Sequence, residues 1–394
     1  MQKKLLALAV LGSLAAPVFA QSNVQIYGIA DAYMQYGKLK GDDTMGIGDG
    51  GLLGSRLGFR GQEDLGNGLK AVFLLEEGFD ISTGKSLYMS KGDSDANGGS
   101  EVFTRQAYVG LKGSFGQISL GRQYAPGYFA DPYDPLAGGS IGVWSALSGL
   151  GALSIAPTSA ARWNNSVAYN GTFESVSLAA IYSAGNQESD TGKYVGTNKK
   201  ADYSDDDKYG VSLKYDNGPL KLGAIYQGVK FKSVCTAPGV CAENPRGKDK
   251  TQNEFLVGAS YDFGVLTLLG SYQKGYDVKG YKDLDVDVWQ VGAIVPVGPG
   301  KIRFAYGQSK VDGFTYKDPV KGPTDYSSFK PKSFTLAYTQ ELSKRTTVYA
   351  GYEWIDYDDI EYKKQVLMTA PSGHSDTEKA DNTSIVFVGM QHKF

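Results

Sequence analysis

Near the end of the chain Phe334, Leu336 and Tyr338 alternate with Ser333, Thr335, Ala337 and Thr339, so an extended backbone there has one oily face and one polar or small one. The same period of two returns in Val211, Leu213 and Tyr215 against Gly210, Ser212 and Lys214, and in Ile302, Phe304 and Tyr306 against Lys301, Arg303, Ala305 and Gly307. Sixteen such segments can be counted, centred near residues 30, 57, 74, 107, 119, 167, 180, 211, 225, 257, 270, 290, 305, 336, 351 and 388. The connections between them alternate in length. Seven are tight, among them Gly66-Asn67-Gly68, Asn217-Gly218-Pro219 and Gly298-Pro299-Gly300, and eight are long, polar and Gly-rich. Such an alternation puts both termini on the short-turn side. An even count with short turns on one rim and long loops on the other predicts an all-β fold, a 16-stranded antiparallel transmembrane β-barrel of the bacterial outer membrane. A soluble sandwich or propeller also has short strands and turns, but gives no reason for the asymmetry.

The two ends of the chain fit this reading. Lys3 and Lys4, the apolar run Leu5 to Leu14 and the closing Val18-Phe19-Ala20 predict a secretory signal peptide over 1–20, leaving 21–394 as a single barrel domain. The last segment alternates Val386, Val388, Met390, His392 and Phe394, and the terminal aromatic fits an outer-membrane assembly signal. Between Asp134 and Arg162 lies a long uncharged stretch, interrupted by Gly138, Gly139, Gly142, Gly149, Gly151 and Pro157. It is too poor in apolar residues for a spanning helix and too rich in them to wave in water. An inward constriction loop over 125–161, covered by the barrel mouth, satisfies both limits.

Composition narrows the function. The 52 Gly and 27 Tyr with only 14 Pro suit many strands and turns, and 40 basic against 42 acidic residues leave no field for nucleic acid. Two histidines leave little room for triads or His-ligated metals, so no enzyme, metal or cofactor is expected. His374 sits in a loop and His392 at the short-turn rim. An adhesive barrel with recognition loops such as Asp202 to Asp207, and a substrate-specific channel, remain as rivals.

Specific stretches then resemble a known family. Residues 55–66, reading Ser-Arg-Leu-Gly-Phe-Arg-Gly-Gln-Glu-Asp-Leu-Gly, with Gly68 to Phe73, Arg105 to Lys112, Gly121-Arg122-Gln123-Tyr124 and the closing His392-Lys393-Phe394, are similar to the general diffusion porins of Gram-negative bacteria, in their neisserial and burkholderial branch. The resemblance implies a homotrimer of sixteen-stranded barrels set among outer-membrane lipid and lipopolysaccharide. It also implies a third loop narrowing each pore, and Phe394 addressing the barrel-assembly machinery.

Alternation locates the candidate pore residues. Leu57 and Phe59 share the oily face, so Arg56 and Arg60 face the lumen, because an arginine facing lipid near the midplane costs about 2 to 4 kcal/mol. Trp163, Val167 and Tyr169 outward would leave Arg162, Asn164 and Ser166 inward, while Glu76 and Asp31 would face water on the inner wall. Parity alone does not decide Arg105; the resemblance puts it on the pore wall. Arg122 shares a face with Ile118, Leu120 and Tyr124, which points it outward toward a neighbouring subunit. The loop contributes Asp131 and Asp134 and then no charge until Arg162. Arg56, Arg105 and Arg162 on neighbouring strands predict weak anion preference. Cys235 and Cys241 flank a Pro-Gly turn in the fifth long loop, and the oxidising periplasm predicts a disulfide between them.

Overall fold

Every one of the sixteen alternating segments is a strand. The computed structural model describes residues 23–87, 102–136, 138–157, 161–184, 207–231, 233–237, 240–243, 250–318, 322–364, 367 and 378–394. The expected signal peptide lies outside them. Chain order gives β1 (Asn23–Leu39), β2 (Asp42–Asp49), β3 (Arg56–Gly66), β4 (Leu69–Gly78), β5 (Gln106–Gly113), β6 (Gly116–Tyr124), β7 (Arg162–Phe173), β8 (Val176–Ser183), β9 (Lys208–Asn217) and β10 (Leu220–Phe231). There follow β11 (Ser233–Ala237), β12 (Val240–Glu243), β13 (Lys250–Asp262), β14 (Thr267–Tyr276), β15 (Val286–Val297), β16 (Gly300–Val311), β17 (Phe314–Asp318), β18 (Gly322–Tyr326), β19 (Lys332–Glu341), β20 (Thr346–Asp356) and β21 (Thr383–Lys393). An α-helix, α1 (Val143–Leu150), stands between β6 and β7.

Sixteen of these strands form a closed antiparallel wall. Each pairs with its neighbour, and β1 pairs with β21 over the register Ile29↔Lys393 to Lys38↔Ser384, which closes the sheet on itself. The terminal residue reinforces this seam: Phe394 and Gly28 exchange two backbone hydrogen bonds of 3.0 and 3.1 Å. The Phe394 ring also covers Gly28 so closely that a Cβ there would stand 2.3 Å from it.

The other five strands lie outside the sixteen. Here β2 folds back on the upper half of β1, while β11–β12 and β17–β18 are separate hairpins within long connections. Tight turns use left-handed backbone, as at Asn67 (φ 53°) between two glycines.

The faces follow the pattern. Outward residues such as Leu57, Val109, Val167, Leu213, Val257, Leu336 and Val388 are exposed, an oily belt suited to lipid. Inward positions bury polar groups instead, including Gln227, Gln252, Glu254, Gln273, Gln290 and Thr335.

One break in the alternation reshapes the inner wall. The β6–β7 register slips between Gly121 and Gln123, and Asn165 opposite adopts φ 47°, the mark of a bulge. Trp163, expected on the outer face, is therefore fully buried against Ala125, Ala168, Ile181 and Val229. Arg122, expected to point outward toward a neighbouring subunit, bonds within its own chain: Nε donates to the Thr104 carbonyl at 2.8 Å and Nη1 to Asn164 Oδ1.

Candidate functional site

The segment joining β6 to β7 begins with short 3-10 turns at Pro126–Phe129 and Asp131–Tyr133 and continues through α1. It is tied to the wall at points along its length. The Gly127 N–H donates to Gln227 Oε1 at 2.6 Å, Trp144 Nε1 to Gln273 Oε1 at 3.2 Å, and Thr335 Oγ1 to the Ile141 carbonyl at 3.0 Å. Glu254, fully buried, accepts the N–H groups of Ser154 at 2.7 Å and Ile155 at 2.9 Å. Small wall residues make room: Tyr133 lies so tightly over Gly223 and Gly258 that Cβ atoms there would fall 1.9 and 2.3 Å from it. The outer side of α1 joins an apolar cluster with Val278, Leu284, Phe314, Phe329, Tyr357 and Ile360 from the long connections.

On the opposite wall the charged residues converge on a stacked tyrosine pair. Tyr124 of β6 and Tyr128 of the first 3-10 turn lie parallel with ring centroids 3.7 Å apart. Arg162 sits over both rings at 5.4 and 5.5 Å, and Arg105 lies 5.7 and 6.0 Å from them. Glu76 brings a carboxylate to this place. Its Oε1 accepts Arg105 Nε at 3.0 Å and the Tyr124 hydroxyl at 2.6 Å, and its Oε2 accepts Tyr27 at 2.7 Å.

Arg105 precedes β5, so strand parity does not govern it. A left-handed Phe103 (φ 63°) turns the chain so that the guanidinium meets Glu76, and its Nη2 donates to Tyr128 at 2.7 Å. Arg56 donates from Nε to the Gly54 carbonyl at 3.0 Å, while its buried Nη2 has no hydrogen-bond partner among the described residues. Burial raises the Tyr128 phenol, but Arg105, Arg56 and Arg162 outweigh it and draw the group down to about 8.

The other expected residues lie elsewhere. Arg60 stays exposed further along β3, bonded to Gln25 at 3.1 Å and set 4.9 Å over the Tyr27 ring. Asp31 does not face water: it is fully buried and accepts Leu52 N at 3.0 Å, Leu53 N at 2.9 Å, Gln391 Nε2 at 2.8 Å and the Tyr349 hydroxyl at 2.5 Å. Glu76 is likewise buried rather than solvated. Asp134 is buried and accepts the N–H groups of Leu136 and Gly138 at 3.1 and 2.9 Å. Arg303 interacts electrostatically with it and donates to the Pro135 carbonyl at 2.6 Å. The backbone of Asp131 lies in the second 3-10 turn, and its side chain is outside the described residues. Cys235 and Cys241 stand directly opposite in the β11–β12 register; their side chains too lie outside the described residues.

Sequence reasoning missed Tyr27, Tyr124, Tyr128, Glu254 and Arg303 as members of these networks. Glu254 and Arg303 were open to detection, since each occupies the parity opposite to oily residues of its strand, Phe255 and Val257 or Ile302 and Phe304. The bulge hid Tyr124.

Comparison with known proteins agrees with this architecture. A family model described as Gram-negative porin matches residues 7–360. Outer membrane porin protein 32 of Delftia acidovorans is 30% identical over 417 aligned positions, covering 100% of both chains. Major outer membrane protein P.IB of Neisseria gonorrhoeae is 28% identical, covering 70% of this chain and 83% of its own. A solved structure, the anion-selective porin from Comamonas acidovorans, superposes with a TM-score of 0.68 at 26% identity, covering 95% of this chain and 100% of that one. The closed sixteen-stranded wall, the polar inner face and these relatives together make the chain a member of the Gram-negative porins, an integral outer-membrane barrel that serves as a diffusion channel rather than an enzyme.

Proposed function

We propose that this channel passes small hydrophilic solutes and ions with a weak preference for anions, and that residues 125–161 fold into the lumen as its constriction loop. The gathering of Arg56, Arg105 and Arg162 around Tyr124 and Tyr128 beside the carboxylate of Glu76 carries the selectivity reading. Arg105 offsets Glu76, and Asp31 spends its oxygens on Leu52, Leu53, Tyr349 and Gln391 rather than on an arginine, so among the described residues guanidinium outnumbers carboxylate around the tyrosine pair. A field of one sign in a narrow low-dielectric passage biases the ions that enter. The superposed porin from Comamonas acidovorans is anion-selective, which supports the same sign. The hydrogen bonds that Gln227, Glu254 and Gln273 accept from the loop, and that Thr335 donates to it, support its inward position.

The same proposal takes residues 21–394 as the mature chain, a homotrimer as the working form, and Phe394 as the mark read by the barrel-assembly machinery. Porin-family membership supports an oligomeric assembly in lipopolysaccharide-bearing membrane. Reversal potentials across a potassium chloride gradient test the selectivity: chloride should be favoured, and replacing Arg56 and Arg162 by Ser should move the potential toward the cation side. Cation preference in the unaltered protein would refute the reading. A trimer should migrate on an unheated gel well above the boiled chain.

A further inference from the structure

We propose that the inner wall carries a second anion-binding station, built by Arg60, Lys112, Gln62 and Gln117 between the arginine cluster and the short-turn rim, which takes small oxyanions bearing several carboxylate or phosphate oxygens. Arg60 lies four residues beyond Arg56 along β3, about 13 Å further along the extended strand in the direction of that rim. It borders a niche of about 410 Å³ lined also by Gln25, Tyr108 and Lys112, a volume within the range of small-molecule sites. The lining contains two cations, three amides and a phenol, and no carboxylate among the described residues.

The cations are held but not neutralised. Arg60 commits Nε to Gln25 and rests its guanidinium over Tyr27, and neither terminal nitrogen has a hydrogen bond among the described residues. Lys112 has no ion pair among the described residues, and its register partners are Lys70 and Gln117. Asp64, an acid in the same part of the wall, spends Oδ1 on the Gly66 N–H at 2.8 Å within the turn. Two like charges facing one polar niche repel each other until an anion lies between them. A planar guanidinium matches two oxygens of such a ligand, the ammonium a third, and the amide groups of Gln62 and Gln117 supply further donors. A neutral solute of equal size gains none of the charge-assisted bonds. The station is distinct from the selectivity reading, since it concerns occupancy by a particular class of solute rather than the sign of the small ions that pass.

Single-channel recordings of the full-length trimer in potassium chloride test it, with succinate as probe and 1,4-butanediol as the neutral control. Succinate should reduce the current saturably and butanediol should not. In the variant carrying Arg60→Gln and Lys112→Gln, half-block should require roughly tenfold more succinate, with a smaller shift in Lys112→Gln alone. Both positions face water, and unheated gel migration checks that the variants fold. The proposal is overturned if the unaltered channel shows no saturable block, if the double variant keeps its half-block concentration, or if block is lost only on replacing Arg56 and Arg162. The chloride-to-potassium ratio without succinate is read separately, so failure of the selectivity reading and failure of this one are told apart.

Discussion

Arg105 and Glu76 form an ion pair of 3.0 Å in which both side chains are almost wholly shut from water, at 1% and 4% exposure. A sealed pair in the wall of a diffusion channel is a fixed part of the wall rather than a mobile surface charge. Tyr27 and Tyr124 complete the donors around the carboxylate, which is what a buried charge requires.

Replacing Glu76 by Gln removes the negative charge and keeps the size. The chloride-to-potassium permeability ratio, from reversal potentials, should rise about twofold as the field of Arg105 is released into the passage. Arg105→Ala should act in the opposite direction, and should also cost about 3 kcal/mol of local stability by leaving a buried carboxylate with one partner fewer.

Tyr128 gives the selectivity a pH dependence on the alkaline side. With its phenol drawn down to about 8, ionisation adds a negative charge beside the three arginines, so chloride preference should weaken between about pH 7 and pH 9 and return on acidification. A depressed acid group contributes stability that is complete only above its unfolded value near 10 and disappears as pH falls through about 8. Reversal potentials measured in Tyr128→Phe should lose the dependence.

Asp31 is expected to matter for assembly and not for ion choice. Asp31→Ala strands the donors of Leu52, Leu53, Tyr349 and Gln391, each worth about 1 to 3 kcal/mol when left buried and unmet. The temperature at which the unheated-gel form collapses should fall, while chloride preference keeps its sign.

Glu254 holds the returning limb of the long loop through Ser154 and Ile155. Glu254→Ala should loosen that limb by about 2 to 5 kcal/mol and appear as added noise and altered conductance in single-channel traces.

Cys235 and Cys241 face each other in an antiparallel hairpin, where opposed Cα atoms lie about 4.5 to 5.5 Å apart, inside the window a disulfide spans. Thiol labelling of the denatured, unreduced protein should find no reactive cysteine.

The local pattern of the chain determined the wall. A period of two in each segment separates Leu57 and Phe59 from Arg56 and Arg60, and Phe255 and Val257 from Glu254, because neighbouring side chains on an extended strand must point to opposite faces. The alternation of tight and long connections determined strand count and direction in the same local way. Only the tertiary structure decided which inward charges face solute. Asp31 is enclosed by hydrogen-bond donors at positions 52, 53, 349 and 391, and Glu76 by partners at 27, 105 and 124, separations over which no periodicity reports. The fates of Trp163, Arg122 and Tyr124 were decided by the slip between Gly121 and Gln123. A bulge adds one residue to one strand and exchanges every later face, and its position depends on how two strands pair rather than on either strand alone.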